Sequence, residues 1–253
     1  MSSTLLPAGF GLGIAMAVLV GVAVIGAWVG RLGHSRAALT ASVRAVVQLA
    51  VVALVLAAVV DSWPLTVGFV IVMYAAASVT AGRRMTRSRE AVWAIVPIVL
   101  STLPVLLALL LTRVLPAQAL AVIPVSGILI GGAMTATALA GRRALDDLRT
   151  RRGEMEAALS LGLLPRDATL EICRPAAVSA LLPVTDQTRT VGLVTLPGAF
   201  VGMLLGGASP VQAGAVQLFV LVALLAVETV AVVATVELVA RGHLTRPDRP
   251  AGS

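Results

Sequence analysis

The sequence predicts an all-α, polytopic integral membrane protein with about seven transmembrane helices and a long cytoplasmic loop that carries a short helix of its own. Three observations predict it. Of the 253 residues, 58% are hydrophobic and 12% are charged, whereas a soluble domain carries about 25% charged residues. The apolar residues gather in runs of roughly 18 or more, long enough to cross hydrocarbon as a helix. The basic residues, nineteen in number and all arginine, collect between those runs.

The spans follow in order over residues 9–30, 43–60, 64–81, 92–111, 121–140, 190–207 and 213–238. Each is expected to be helical, because backbone polar groups find no water partner inside a bilayer. The first apolar stretch is longer than the ~7–15 residues of a signal-peptide core and no basic segment precedes it, which predicts an uncleaved span. Asp61-Ser62-Trp63-Pro64 separates the second and third spans; Pro suits a helix start and Trp an interface. Counting arginines on alternate sides puts eighteen on one side and Arg113 alone on the other. That asymmetry predicts an N-terminus outside and a C-terminus in the cytoplasm of a cell (plasma or inner) membrane. Residues 1–240 are expected to form one transmembrane domain, and the Pro/Arg/Gly-rich residues 241–253 a disordered cytoplasmic tail.

Residues 142–189 hold eight arginines and seven acids. Within them a helix is predicted over 148–164, with Met155, Leu159 and Leu163 on one face and Gly162 and Pro165 at its end; a second piece, Arg166 to Ile172, precedes Arg174-Pro175 and re-entry toward the membrane. Glu156-Ala157-Ala158-Leu159, with Gly162 three residues further on, has the chemistry of a docking element. The alanines keep the helix slim, Gly162 permits close backbone approach, and Glu156 offers a charge-assisted hydrogen bond. The competing reading is an amphipathic helix lying on the membrane surface.

Lysine is absent from the chain, so it cannot contain a standard P-loop, whose Lys reaches the terminal phosphates. If ATP drives the protein, a partner subunit hydrolyses it. The single cysteine, Cys173, rules out an intrachain disulfide. The two histidines, His34 and His243, fall in loops, so neither a metal cage nor a catalytic set is expected.

The Glu-Ala-Ala-x-x-x-Gly spacing is similar to the loop by which ABC-transporter permeases grip their ATPase subunits. More broadly the chain resembles the FetB-type permeases, a family of bacterial proteins assigned to iron export that also includes a plant aluminium-tolerance protein. The resemblance is carried by Ile130-Gly131-Gly132-Ala133-Met134-Thr135-Ala136-Thr137-Ala138-Leu139-Ala140 and by Glu156 to Gly162. It resumes at Val191-Gly192-Leu193-Val194-Thr195-Leu196-Pro197-Gly198, with Gly202 and Ser209-Pro210 beyond. It implies a permease subunit that pairs with an ABC ATPase as a homodimer, binds no cofactor itself, leaves ATP and Mg to its partner, and exports a metal ion. The family pattern has Asn at Gly132, polar or thioether residues at Phe200, Val201 and Met203, and Lys at Arg189, so the resemblance implies the export machinery more strongly than the metal.

Candidates for the translocation path are Glu228, Met134, Thr135, Thr137, Gln48 and Arg44. Glu228 is an acid deep within a span, and an intramembrane ionisable residue is a functional hypothesis by default; its alternative is burial against a polar partner for packing. Glu237 is expected at an interface. Arg44 and Gln48 lie one turn apart, where Arg44 can snorkel. Pro197, Gly198, Gly202 and Gly206 suit close helix packing or a hinge. An ion-coupled secondary transporter using Glu228 as cation or proton carrier is the alternative function. The missing inverted repeat weighs against it. A membrane-embedded enzyme is disfavoured, because no Ser–His pair or paired-His motif falls within a span.

Overall fold

The computed structural model describes residues 10–33, 35–86 and 88–246; His34 and the tail beyond Arg246 lie outside them. Among the described residues nine α-helices occur: α1 Phe10–Val29, α2 Ser35–Val59, α3 Trp63–Met85, α4 Ile95–Leu111, α5 Ala119–Thr150, α6 Arg152–Ser160, α7 Pro165–Thr190, α8 Gly198–Leu205 and α9 Pro210–Ala240. A 3-10 turn, Arg89–Ala94, leads into α4. The chain divides into two compact units, one ending at Asp61 and one beginning at Ser62.

The first unit is the α1–α2 pair. Val59 at the end of α2 is 6% exposed, whereas Phe10–Val29 and Ser35–Leu56 bury no residue of their apolar stretches within the chain. Such surfaces are stable only against lipid or protein. The turn between the helices places Arg31 (φ 50°) and Gly33 (φ 67°) in the left-handed region.

The second unit is built around α5 and α9. At 1.5 Å per residue, the 32 residues of α5 and the 31 of α9 run about 48 and 46 Å, well beyond the ~30 Å of hydrocarbon. Ser209 and Gln212 close a reciprocal capping box at the start of α9, which satisfies two otherwise orphaned donors. α3 begins at Trp63-Pro64 and carries Arg83 and Arg84 in its last turn. It packs tightly where side chains vanish: a Cβ at Gly82 would strike the Ala91 carbonyl, and one at Gly141 of α5 would strike Met85 Sδ. Tyr74 and Thr102 share a 2.7 Å hydrogen bond that links α3 to α4. The core is correspondingly fine-grained, with Ala81, Ala94, Ala133, Ala144 and Ala231 fully buried beside Ile98 and Val227.

Among the described residues six helices are long and apolar enough to cross a membrane: Phe10–Val29, Ser35–Leu56, Trp63–Met85, Arg89–Leu111, Ala119–Thr150 and Pro210–Ala240. These correspond to six of the seven expected spans, and the all-α polytopic class holds. The span expected over 190–207 is corrected, because it is not one helix. α7 stops at Thr190, residues 191–197 turn with Gly192 at φ 82°, and α8 has only eight residues. Pro197 sits extended at the start of α8 (φ −63°, ψ 149°), and the residue before a proline is itself biased away from helix.

The single helix expected over 148–164 is also corrected. α5 runs on to Thr150, Arg151 breaks the helix (φ −106°, ψ 32°), and α6 occupies only Arg152–Ser160. Gly162, at φ 89°, ends it in a conformation that glycine adopts without steric cost. The packed face of α6 is Met155 and Ala158, while Leu159 and Leu163 are each 40% exposed. The short second piece expected over 166–172 is the start of a much longer element: α7 is a 26-residue helix that runs through Pro175 and Pro183 to Thr190. The tail expected to be disordered from Arg241 is corrected as far as Arg246. His243 stacks on Trp93 with ring centroids 4.6 Å apart, and Leu244 is 1% exposed. Thr245 hydrogen-bonds Glu90, and Arg246 bonds Asp146 and the Met85 carbonyl.

Candidate functional site

Two sets of residues in the second unit carry functional chemistry. One lies where α5, α9 and α7 meet, and the other where α6 leaves the arginine-rich end of the bundle.

Glu228 lies against Gly132. A Cβ built on that glycine would stand 2.8 Å from Glu228 Oε1 and 2.7 Å from Leu224 Cδ2, so the carboxyl rests over bare α5 backbone. Glu228 is half-buried and has no hydrogen-bond or ion-pair partner among the described residues. The buried polar partner that would make it a packing residue is therefore not found there.

The other path candidates on α5 diverge. Met134 is half-buried against the main core. Thr135 is exposed and donates to the Gly131 carbonyl at 3.0 Å. Thr137 is fully buried, and its Oγ1 finds no partner. Successive residues of an α-helix point about 100° apart, so these three cannot line one surface. Arg44 and Gln48 are exposed on α2, in the other unit. Gly198 and Gly202 face open space on this chain, with nothing within 4 Å of an added Cβ, and Gly206 meets only backbone of its own helix.

At the arginine-rich end, Arg151 forks onto Glu154 (Nε to Oε1, 2.8 Å) and donates through Nη1 to the Ile172 carbonyl at 3.1 Å. The guanidinium holds the Glu154 carboxyl below the usual carboxylate range. The start of α6 is thereby pinned to α7. Glu156 makes only an exposed 3.3 Å contact with Arg152, the class of pair worth little in water. Ala157 is exposed and Ala158 faces α7. Between α6 and α7 lies an open groove of about 720 Å³, edged by Arg151, Glu154, Glu171 and Arg174 with Val178 and Leu182 along it.

Two features escaped sequence reasoning. Glu237 is not merely interfacial: it accepts from Arg166 of α7 (2.9 and 2.8 Å) and from Arg241 (2.6 Å), tying the start of α7 to the end of α9. The second is the polar end of α7, where Asp186, Gln187 and Arg189 are all exposed. Their helical spacing was legible, but residues read as loop carry no depth. Among the described residues no group of three or more His, Cys, Asp and Glu is placed to hold a metal ion.

Residues 10–244 match the family model described as an uncharacterised protein family, UPF0014. The chain belongs to UPF0014. One relative is the UPF0014 membrane protein STAR2 of Oryza sativa subsp. japonica, 36% identical over 86% of this chain and 77% of its own length. The protein ALUMINUM SENSITIVE 3 of Arabidopsis thaliana is 39% identical over 59% of this chain and 55% of its own. The probable iron export permease protein FetB of Escherichia coli is 35% identical over 39% of this chain and 38% of its own. No solved structure matches. The UPF0014 match begins at the start of α1 and ends at buried Leu244, so it takes in both units, and the chain is a multi-pass membrane protein of that family.

Proposed function

We propose that this chain is the transmembrane permease subunit of an ABC transporter, exporting a metal ion such as iron with ATP hydrolysed by a separate subunit. The observation that carries the reading is α6. It is a nine-residue charged helix bounded by a break at Arg151 and a turn at Gly162, attached to the bundle along one side and free along the Glu156–Ala157 side. A short helix of that kind at the end of a membrane bundle suits insertion into a cleft on a partner. The arginine asymmetry makes that end cytoplasmic and the N-terminus external. Iron is suggested by the name of the E. coli relative.

The permease acts as a homodimer carrying two ATPase subunits, which hold the ATP and Mg. Closure of the ATPases on ATP displaces α6. Arg151 passes the displacement to α7, and the Arg166–Glu237 pair passes it to α9, the helix that carries Glu228. Transport then follows from differential stability of inward-open and outward-open states.

Affinity purification from native membrane in mild detergent tests this. An ABC ATPase is expected with the wild-type protein and is expected to be lost with Glu156→Arg or Gly162→Trp, both of which still insert. Glu228→Ala is expected to keep the ATPase and lose transport. The unpartnered Glu228 also favours a second reading, an ion-coupled carrier. Ion flux from reconstituted protein with no ATPase present would establish that reading and sink the first.

A further inference from the structure

The antiparallel register of α7 on α5 can be followed residue by residue. Cys173 Sγ approaches the Ala144 carbonyl at 3.8 Å, and further along Ala180 packs with Ala136 and Ala140 of α5 and Val232 of α9. Six residues past Ala180 is a rise of about 9 Å. The same step back along α5, from between Ala136 and Ala140, arrives at Gly132, against which Glu228 lies. Val184, 2% exposed, keeps α7 seated in the bundle two residues before that point.

Asp186 therefore stands at the depth of Glu228. That depth is near the middle of the membrane, because α5 is uncharged from Ala119 to Gly141 and Gly132 lies close to the centre of that stretch. At this level α7 exposes Asp186, Gln187 and Arg189, and none of the three side chains has a hydrogen-bond or ion-pair partner among the described residues. Charges at mid-membrane rarely face lipid; they face a bundle interior or a water-filled cavity. Glu228, also without a partner among the described residues, lies at the same level, its carboxyl and Leu224 filling the space that a side chain at position 132 would take.

The geometry points to the last two turns of α7 as a wall of the translocation path, with Asp186, Gln187 and Arg189 open to water at the depth of Glu228. This assignment rests on the permease reading and adds residues to it. The path is then not drawn along Met134, Thr135 and Thr137, which diverge around α5. It follows the side of α7, where polar groups of both signs solvate an ion's passage.

Cysteine accessibility in the full chain, in native membrane, tests it. Cys173 is fully buried and is replaced by Ala as background. Asp186→Cys, Gln187→Cys and Arg189→Cys are made singly and treated with a charged, water-soluble methanethiosulfonate. Val230→Cys, exposed on apolar α9 at a similar depth, and Val184→Cys, buried, are the controls. The thiolate is the reacting form, so water at the site speeds modification. At least one of the three α7 cysteines is expected to react ten-fold or more faster than both controls. Rates no faster than that of Val230→Cys at all three positions overturn the assignment. So does oxidative cross-linking of Asp186→Cys between two copies without reagent access, which would make this face an interface. ATPase co-purification is scored on the same preparations. Silent cysteines in protein that retains its ATPase refute only the path wall, whereas reactive cysteines in protein without an ATPase refute only the ABC reading.

Discussion

Gly82 and Gly131 illustrate how one missing methyl group decides helix packing. Both are helical, yet a Cβ at Gly82 would run into the Ala91 carbonyl while one at Gly131 would meet nothing within 4 Å. A backbone carbonyl cannot swing aside as a side-chain tip can. Gly82→Ala is therefore expected to destabilise by about 1–3 kcal/mol and to lower the Tm in detergent by roughly 2–10 °C. Gly131→Ala is expected to hold or raise the Tm, since Ala is the better helix former by up to ~1 kcal/mol. Equal Tm losses at the two positions would refute the close approach at Gly82. Glu228 shows the same contrast between sequence and space. Its intramembrane position was legible because the surrounding residues are apolar, but its seat on Gly132 was not, because that contact joins residues 96 apart.

At the scale of elements, α7 is where sequence reasoning ran out. Arg166, Asp167, Glu171, Arg174, Asp186 and Arg189 raise its polarity, and a stretch with that many charges reads as solvated loop. The helix nevertheless packs on α5 and α9 through Ala168, Ile172, Cys173, Ala176, Ala180 and Val184, all on one stripe. The Arg166–Glu237 fork ties its first turn to α9. The Arg166 side chain is 48% exposed and that of Glu237 27%, so the pair adds little stability and its value lies in geometry. If the chain works as the proposed ABC permease, Arg166→Glu is expected to lower ATP-coupled transport several-fold, and the double exchange Arg166→Glu with Glu237→Arg to restore part of it. A double exchange no better than Arg166→Glu alone would show that the pair does not carry the coupling.

For the molecule, the arginine-rich end of the second unit is one assembly. The segment after α9 folds back, with His243 on Trp93, Thr245 on Glu90, and Arg246 on Asp146 and the Met85 carbonyl. It thereby ties α3, the turn before α4, α5 and α9 together around buried Leu244. Truncating such a core side chain costs about 2–5 kcal/mol, and the loss should be felt cooperatively. Leu244→Ala is expected to speed amide exchange across residues 83–94 as well as 237–246, because neighbouring segments open as one unit. Faster exchange confined to 242–246 would show that the segment is an appendage.

Membrane residence, the helical class, six of the spans and the arginine-rich side were determined by the sequence alone. These properties are local: an uncharged run of about twenty residues has only helical ways to satisfy its backbone in lipid, and arginines mark their own side. Register was decided only by the tertiary structure. Whether α7 is loop or bundle helix, whether Glu228 meets a partner or a bare glycine, and whether the chain after Arg241 docks all depend on contacts between residues tens to more than a hundred positions apart. Such contacts are set by the fit of small side chains between helices, for which periodicity along the chain carries no signal.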